Sequence, residues 1–195
     1  KKIDGALVQG WLYDDQLRVL AELDGTSNVV ARFVYGDGIN VPELMEKGGR
    51  AYRLIKDQLG SVRLVVDVED GSIVQEMRYD AWGNVVFDSN PGFQPFGFAG
   101  GLYDPQTRLV RFGARDYDPS LGRWLKRDSI AVGDLSACGA TNLFLYACGA
   151  PIEYTDPRGL AVDYQCPATL KTEILGWFAD GCEYLKSQSC QNVLR

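Results

Sequence analysis

The chain has 195 residues, 26 acidic and 20 basic side chains, a net charge of −6 and no histidine. With 46% hydrophobic residues it can bury a real core in one large domain or two small ones, and its acidic balance argues against a general nucleic-acid footprint. The missing histidine excludes Ser-His-Asp and Cys-His nucleophile systems, His-ligated zinc and c-type haem attachment, so any catalysis rests on carboxylates, Lys, Arg, Tyr, Cys or a borrowed cofactor.

In chain order, Lys1-Lys2-Ile3-Asp4-Gly5 shows neither an initiator Met nor a signal peptide. It reads as mid-domain sequence, so a processed form or an excerpt is expected. Leu17–Leu23 and Val29–Tyr35 flank Asp24-Gly25-Thr26-Ser27, and Val62–Val68 and Ile73–Tyr79 flank Glu69-Asp70-Gly71-Ser72. Asp-Gly between two β-branched, apolar runs predicts hairpins. Pro42–Lys47 reads as one turn of helix or a loop. Tyr-Asp recurs at Tyr13-Asp14, Tyr79-Asp80, Tyr103-Asp104 and Tyr117-Asp118, once continuing as Ala81-Trp82-Gly83-Asn84. Such a repeat pairs an aromatic that packs across the sheet with an Asp and a Gly-Asn that shape the next turn. Repeated hairpins of this kind need their neighbours to bury a common face. The excess of Asp (18) over Glu (8) agrees with a turn-rich, mainly β chain.

Three regions are expected: residues 1–127 as antiparallel hairpin sheet, 128–160 as a compact Gly- and Pro-punctuated unit, and 161–195 as a helical tail. In the tail, Leu170, Ile174, Phe178, Cys182 and Leu185 follow Pro167 at helical spacing. The plainer reading of that helix is docking on the sheet; a partner-binding helix is the other. No run of about 18 apolar residues predicts a membrane span. Cys138, Cys148, Cys166, Cys182 and Cys190 include no CxxC pair. One or two disulfides suit an exported protein, and small buried apolar residues are the alternative. Arg108, Arg111, Arg115 and Arg123 alternate with aromatic and apolar residues, which fits strand faces with structural Asp–Arg pairs better than a nucleic-acid surface. Trp11, Trp82, Trp124 and Trp177 suit core positions better than carbohydrate platforms.

Four ordered blocks resemble the Rhs (YD-repeat) family and its C-terminal Rhs-associated core. They are Asp57-Gln58-Leu59-Gly60-Ser61-Val62-Arg63, with Gln58 where His is usual, and Tyr79-Asp80-Ala81-Trp82-Gly83-Asn84. The third runs from Pro95-Phe96-Gly97-Phe98 through Gly113-Ala114-Arg115-Asp116-Tyr117-Asp118-Pro119 to Gly122-Arg123-Trp124. The last runs from Asn142-Leu143-Phe144 through Pro151 to Asp156-Pro157-Arg158-Gly159-Leu160. The resemblance covers roughly residues 12–160; residues 161–195 match no motif.

The resemblance implies YD-repeat hairpins wound into a hollow β-shell, with a C-terminal core curled inward as a plug. Shells of this sort also occur in insecticidal toxin complexes and teneurins. It implies a structural, encapsulating or surface-assembly module, secreted or at the cell surface, that carries a variable tail. Expected partners are protein strands or chains that cover exposed sheet edges, including further copies; charge and the lack of a long apolar run speak against nucleic acid and membrane insertion, and no metal or cofactor is expected. In many members the core is an intramolecular aspartyl protease that cuts after D-P-x-G-L and releases a C-terminal piece, often a toxin. Two close carboxylates sharing a proton suit a chain without histidine. Carried over, Asp128 is the first catalytic Asp, Arg127 steadies charge beside it, and the cut falls between Leu160 and Ala161. Ser129 and Ala131 depart from the family's Pro and Gly. The second Asp has two alignments. Either Asp134 supplies it, with Leu135–Ala140 inserted, or Ala140 stands in its place and the dyad is broken. Asp156 suits local backbone bonding rather than rescue of the dyad.

Overall fold

Period-two alternation of apolar and polar side chains, broken by Asp turns and by the Gly48-Gly49 turn, leaves the backbone little choice but an antiparallel meander. The computed structural model describes residues 1–36, 40–127 and 142–160. A small ribbon, β1 (Lys2–Ile3) and β2 (Ala6–Leu7), precedes an eight-stranded sheet. That sheet comprises β3 (Gln9–Tyr13), β4 (Val19–Asp24), β5 (Val29–Val34), β6 (Leu44–Lys47), β7 (Arg50–Lys56), β8 (Val62–Asp67), β9 (Ile73–Tyr79) and β10 (Val85–Asp88). Each strand pairs with its sequence neighbour, so β3 and β10 form the two edges. A second meander has four strands, β11 (Leu102–Asp104), β12 (Leu109–Phe112), β13 (Arg115–Asp118) and β14 (Arg123–Trp124).

The mainly β, hairpin-built reading holds, including both Asp-Gly hairpins, now β4–β5 and β8–β9. One element differs. Leu44–Lys47 is a strand, paired with β5 and β7, rather than a helical turn or loop. The alternation of Leu44 (outward), Met45 (fully buried) and Glu46 (outward) has the period of a strand, and neighbours on both sides supply its hydrogen bonds. The expected tail helix, Trp177, and Cys138, Cys166, Cys182 and Cys190 lie outside the described residues.

Register sorts the large sheet into faces. Phe33, Met45 and Tyr52 stand in one cross-strand row, and Leu54, Val65 and Gln75 in another, all buried. Residues 89–101, between β10 and β11, run over this inner face. Phe93 meets Tyr52 edge-on at 5.0 Å and Phe96 meets Phe33 at 5.1 Å. Buried Gln94 satisfies both groups of Phe96, donating from Nε2 to its carbonyl at 2.8 Å and accepting from its N–H at 2.6 Å. An irregular backbone is stable there because its polar groups find partners.

The second core belongs to the small sheet. Phe98, Phe112, Tyr117, Trp124 and Tyr146 are almost wholly buried and form a contiguous ring cluster, with Tyr117 and Tyr146 centroids 4.2 Å apart. Each such pair contributes about 0.5–1.5 kcal/mol beyond area burial. Tyr117 Oη donates to the Trp82 carbonyl at 2.8 Å and ties this cluster to the turn after β9.

Candidate functional site

The turns repeat one five-residue loop. At Asp14, Asp24, Asp57 and Asp80, the Asp side chain accepts from the N–H groups two and four residues on, at 2.9–3.0 Å. The residue three positions on donates to the Asp carbonyl and adopts positive φ. Gly60 and Gly83 fill that position in two loops, Leu17 and Ser27 in the others. At Gly83 a Cβ would also enter the Phe98 ring, so glycine is required on two counts. The Tyr of each Tyr-Asp pair faces inward at Tyr79 and Tyr117 but is exposed at Tyr13, which lies on the edge strand β3.

Asp156-Pro157-Arg158-Gly159-Leu160 is a variant of the same loop. Gly159 has φ 62° and donates to the Asp156 carbonyl at 3.1 Å, and Leu160 N–H donates to Asp156 Oδ1 at 3.0 Å. Here Arg158 is exposed, but the two ends of the turn are drawn inward. Asp156 and Gly159 are buried against the β12–β13 turn. Arg115, at the start of β13, donates from Nη2 to Asp156 Oδ2 at 2.7 Å and from Nε to the Gly159 carbonyl at 2.6 Å. Its guanidinium lies 4.1 Å from the Trp124 ring centroid. Ala114 N–H donates to the Arg158 carbonyl at 3.2 Å, and Asn40 Nδ2 to the Pro157 carbonyl at 2.5 Å. Three successive carbonyls of the block are therefore held from outside it. A Cβ at Gly159 would strike the Phe112 carbonyl, which explains the glycine independently of φ.

The surrounding cluster is buried. Burial pushes the hydroxyls of Tyr117 and Tyr146 well above the ordinary tyrosine range. Both are neutral aromatic packing rather than acid–base groups. Among the described residues, no group of three or more His, Cys, Asp or Glu side chains converges as a metal site. No helix among them is long and apolar enough to cross a membrane.

Of the residues singled out from sequence, the structure brings together Asp156, Pro157, Gly159 and Leu160 with Arg115. Arg127 is exposed at the end of a described segment, while Asp128, Asp134, Ala140 and Ala161 lie outside the described residues. In the basic run, Arg111 forms a bidentate pair with Asp116 at 2.5 and 2.9 Å, and Arg115 pairs with Asp156. Trp124 is core at 2% exposure, Trp11 packs on the first core, and Trp82 is exposed. Sequence reasoning missed Asn40 and the partner of Arg115. Neither carried a local signal, since both partners lie far off in sequence.

The model of the teneurin YD-shell family matches residues 1–151. Teneurin-3 of Danio rerio is 46% identical over 81 residues, covering 41% of this chain and 3% of that protein. Teneurin-m of Drosophila melanogaster is 28% identical over 183 residues, covering 80% and 7%. Among solved structures, TcdB2-TccC3-TEV superposes with a TM-score of 0.55 at 20% identity, covering 82% of this chain and 9% of that one. A Tc holotoxin pore of Photorhabdus luminescens gives 0.55 at 19%, covering 86% and 10%. At such identities the likeness to these structures is one of fold, and the chain spans less than a tenth of the curated relatives just named. The Asp-turn hairpin meander, the inward Tyr of Tyr-Asp and the family match over residues 1–151 agree: this chain belongs to the teneurin YD-shell family, a YD-repeat β-shell segment.

Proposed function

We propose that this chain works as the terminal segment of a YD-repeat shell, a structural and encapsulating module whose sheet is continued by other strands and which carries residues 161–195 as a variable tail. The observation that carries this reading is the pair of open edges. Among the described residues β3 and β10 have no outer neighbour, and Leu12, Tyr13, Val86 and Phe87 on them are exposed. Unpaired backbone beside apolar side chains favours strand addition. The occupants are hairpins of the same shell or of a second copy, and the setting is secreted or at the cell surface. Sedimentation across a hundredfold dilution tests it. Concentration-dependent association is expected, and a strict monomer at every concentration overturns the reading.

A second reading is favoured by the clamp on residues 156–160, the block after which the resemblance implies a cut. Here the chain cuts itself. Asp128 and Asp134 share a proton, one drawing a proton from water and the other protonating the scissile amide, with Arg127 steadying the charge. Water oxygen bonds to the Leu160 carbonyl carbon, the bond to Ala161 nitrogen breaks, and Ala161 leaves as a free amine. Intact mass of fresh protein decides. Loss of 161–195, prevented by Asp128→Asn, is expected; an uncut wild-type chain sinks this reading, as it does the intact dyad if Ala140 marks the lost Asp.

A further inference from the structure

In a chain of net charge −6, one cavity is lined by three arginines and, among the described residues, by no acidic side chain. It holds about 240 Å³ between the Asp14 loop, β12 and the 156–160 block. Arg18 reaches it from the residue before β4, Arg111 from β12 and Arg158 from the turn after Asp156. Val19, Phe96 and Phe112 supply a buried apolar part of the lining, while Arg111 and Arg158 are exposed. Two of the guanidiniums are held by carboxylates that do not line the cavity. Arg18 Nε donates to Asp14 Oδ2 at 2.7 Å, and its guanidinium lies 5.1 Å from the Tyr35 ring centroid. Arg111 commits Nε and Nη2 to Asp116. The Nη groups of Arg18, Nη1 of Arg111 and the whole guanidinium of Arg158 keep their donors free among the described residues.

We propose that this cavity binds a phosphate-type oxyanion, free or as the phosphate of a small monoester, between Arg18, Arg111 and Arg158. The site stands apart from both the shell and the self-cleavage readings. Three guanidiniums from three separate elements suit a tetrahedral anion, whose oxygens accept from several sides. A planar carboxylate is served by a single fork. A concave site lined by one sign of charge and backed by apolar walls focuses the field on its occupant. The ion pairs to Asp14 and Asp116 fix two of the forks before any ligand arrives, so less side-chain freedom is lost on binding. Arg158 brings the charge that no carboxylate offsets. Its backbone is already anchored, because Ala114 N–H donates to its carbonyl and Asn40 Nδ2 to the carbonyl before it. The volume suits a small ligand rather than a polymer.

Calorimetric titration of the full chain at constant ionic strength tests this, with inorganic phosphate, methyl phosphate and acetate as separate probes. Saturable binding of phosphate or methyl phosphate at one site per chain is expected, the tighter of the two naming the source, with acetate at least tenfold weaker. Arg158→Gln removes a side chain with no ion pair and leaves the backbone contacts of the block in place. It is expected to weaken phosphate at least tenfold without moving the melting temperature of the ligand-free chain. Arg108→Gln removes an equally exposed arginine outside the cavity and is expected to leave the affinity unchanged. No saturable binding of either phosphate probe overturns the proposal. So does acetate binding as tightly as phosphate, or an equal loss in Arg108→Gln and Arg158→Gln, which marks general charge attraction. If Arg158→Gln loses its β circular-dichroism signal, Arg18→Lys replaces it. That variant keeps the charge beside Asp14 but gives up the fork, and must weaken phosphate at least threefold.

Discussion

Arg115 and Asp156, 41 residues apart in sequence, form a buried ion pair at 2.7 Å that joins the third strand of the small sheet to the last described loop. A buried pair of this kind gains little net stability, but removing one partner leaves the other charge buried without its counter-ion.

Arg115→Ala or Asp156→Ala is therefore expected to cost about 3–5 kcal/mol, whereas an apolar replacement of both, Arg115→Met with Asp156→Leu, costs far less than the sum. Urea unfolding of the two single variants and the double variant checks this. Additive losses would show that the two side chains act independently.

Tyr117→Phe removes the hydroxyl that donates to the Trp82 carbonyl at 2.8 Å and leaves the ring in its cluster. The expected loss is about 1 kcal/mol, read from the denaturation midpoint with the slope unchanged. Trp82 fluorescence is expected to shift with it, since that hydrogen bond ties the turn to the small sheet.

Leu17 and Ser27 occupy the positive-φ place that Gly60 and Gly83 fill in sister loops, at φ 64° and 67°. Non-glycine residues are strained there. Leu17 is 56% exposed, so little burial is lost on truncation. Leu17→Gly and Ser27→Gly are each expected to stabilise by about 0.5–1 kcal/mol, after the entropy cost of glycine. Gly83→Ala is expected to destabilise by more than about 2 kcal/mol, since backbone strain and collision with Phe98 add. Thermal melts of the three variants check both directions.

The Asp turns predict a pH dependence. Hydrogen bonds from Asn28 N–H and the Thr26 hydroxyl hold the Asp24 carboxyl down at about 2, and hydrogen bonds from Ser72 also lower Asp70. Folded values below the unfolded value of 3.8 mean that the folded state favours the ionised form. The Asp24 contribution is fully present above pH 3.8 and is lost as pH falls through about 2. Melting temperature is expected to hold from neutral pH to about 4 and then to fall, less steeply in Asp24→Asn. A melting temperature that stays level down to pH 2 would contradict it.

Hairpins were legible in the sequence because their causes are local. Asp24-Gly25 and Asp70-Gly71 supply the turn, and alternation over the flanking residues sets which face is buried. Leu44–Lys47 was not legible, because four residues after a proline carry too little pattern, and only the ladders of β5 and β7 on either side make them a strand. The loop at Asp24 hid its kinship with Asp80 because Leu23 precedes it in place of Tyr and Ser27 replaces the expected glycine.

The candidate site divides the same way. The D-P-R-G-L block, its glycine and its Asp turn could be read from sequence, since an Asp side chain reaching N–H groups a few residues on depends on local chain geometry alone. That Asp156 and Gly159 are buried, that Arg115 rather than Arg108, Arg111 or Arg123 is the cation of the block, and that Asn40, between β5 and β6, holds it were decided only by the tertiary structure. The physical reason is distance. Those partners lie 41 and 117 residues away, and their meeting depends on how two sheets close over an aromatic core. No local preference records that packing.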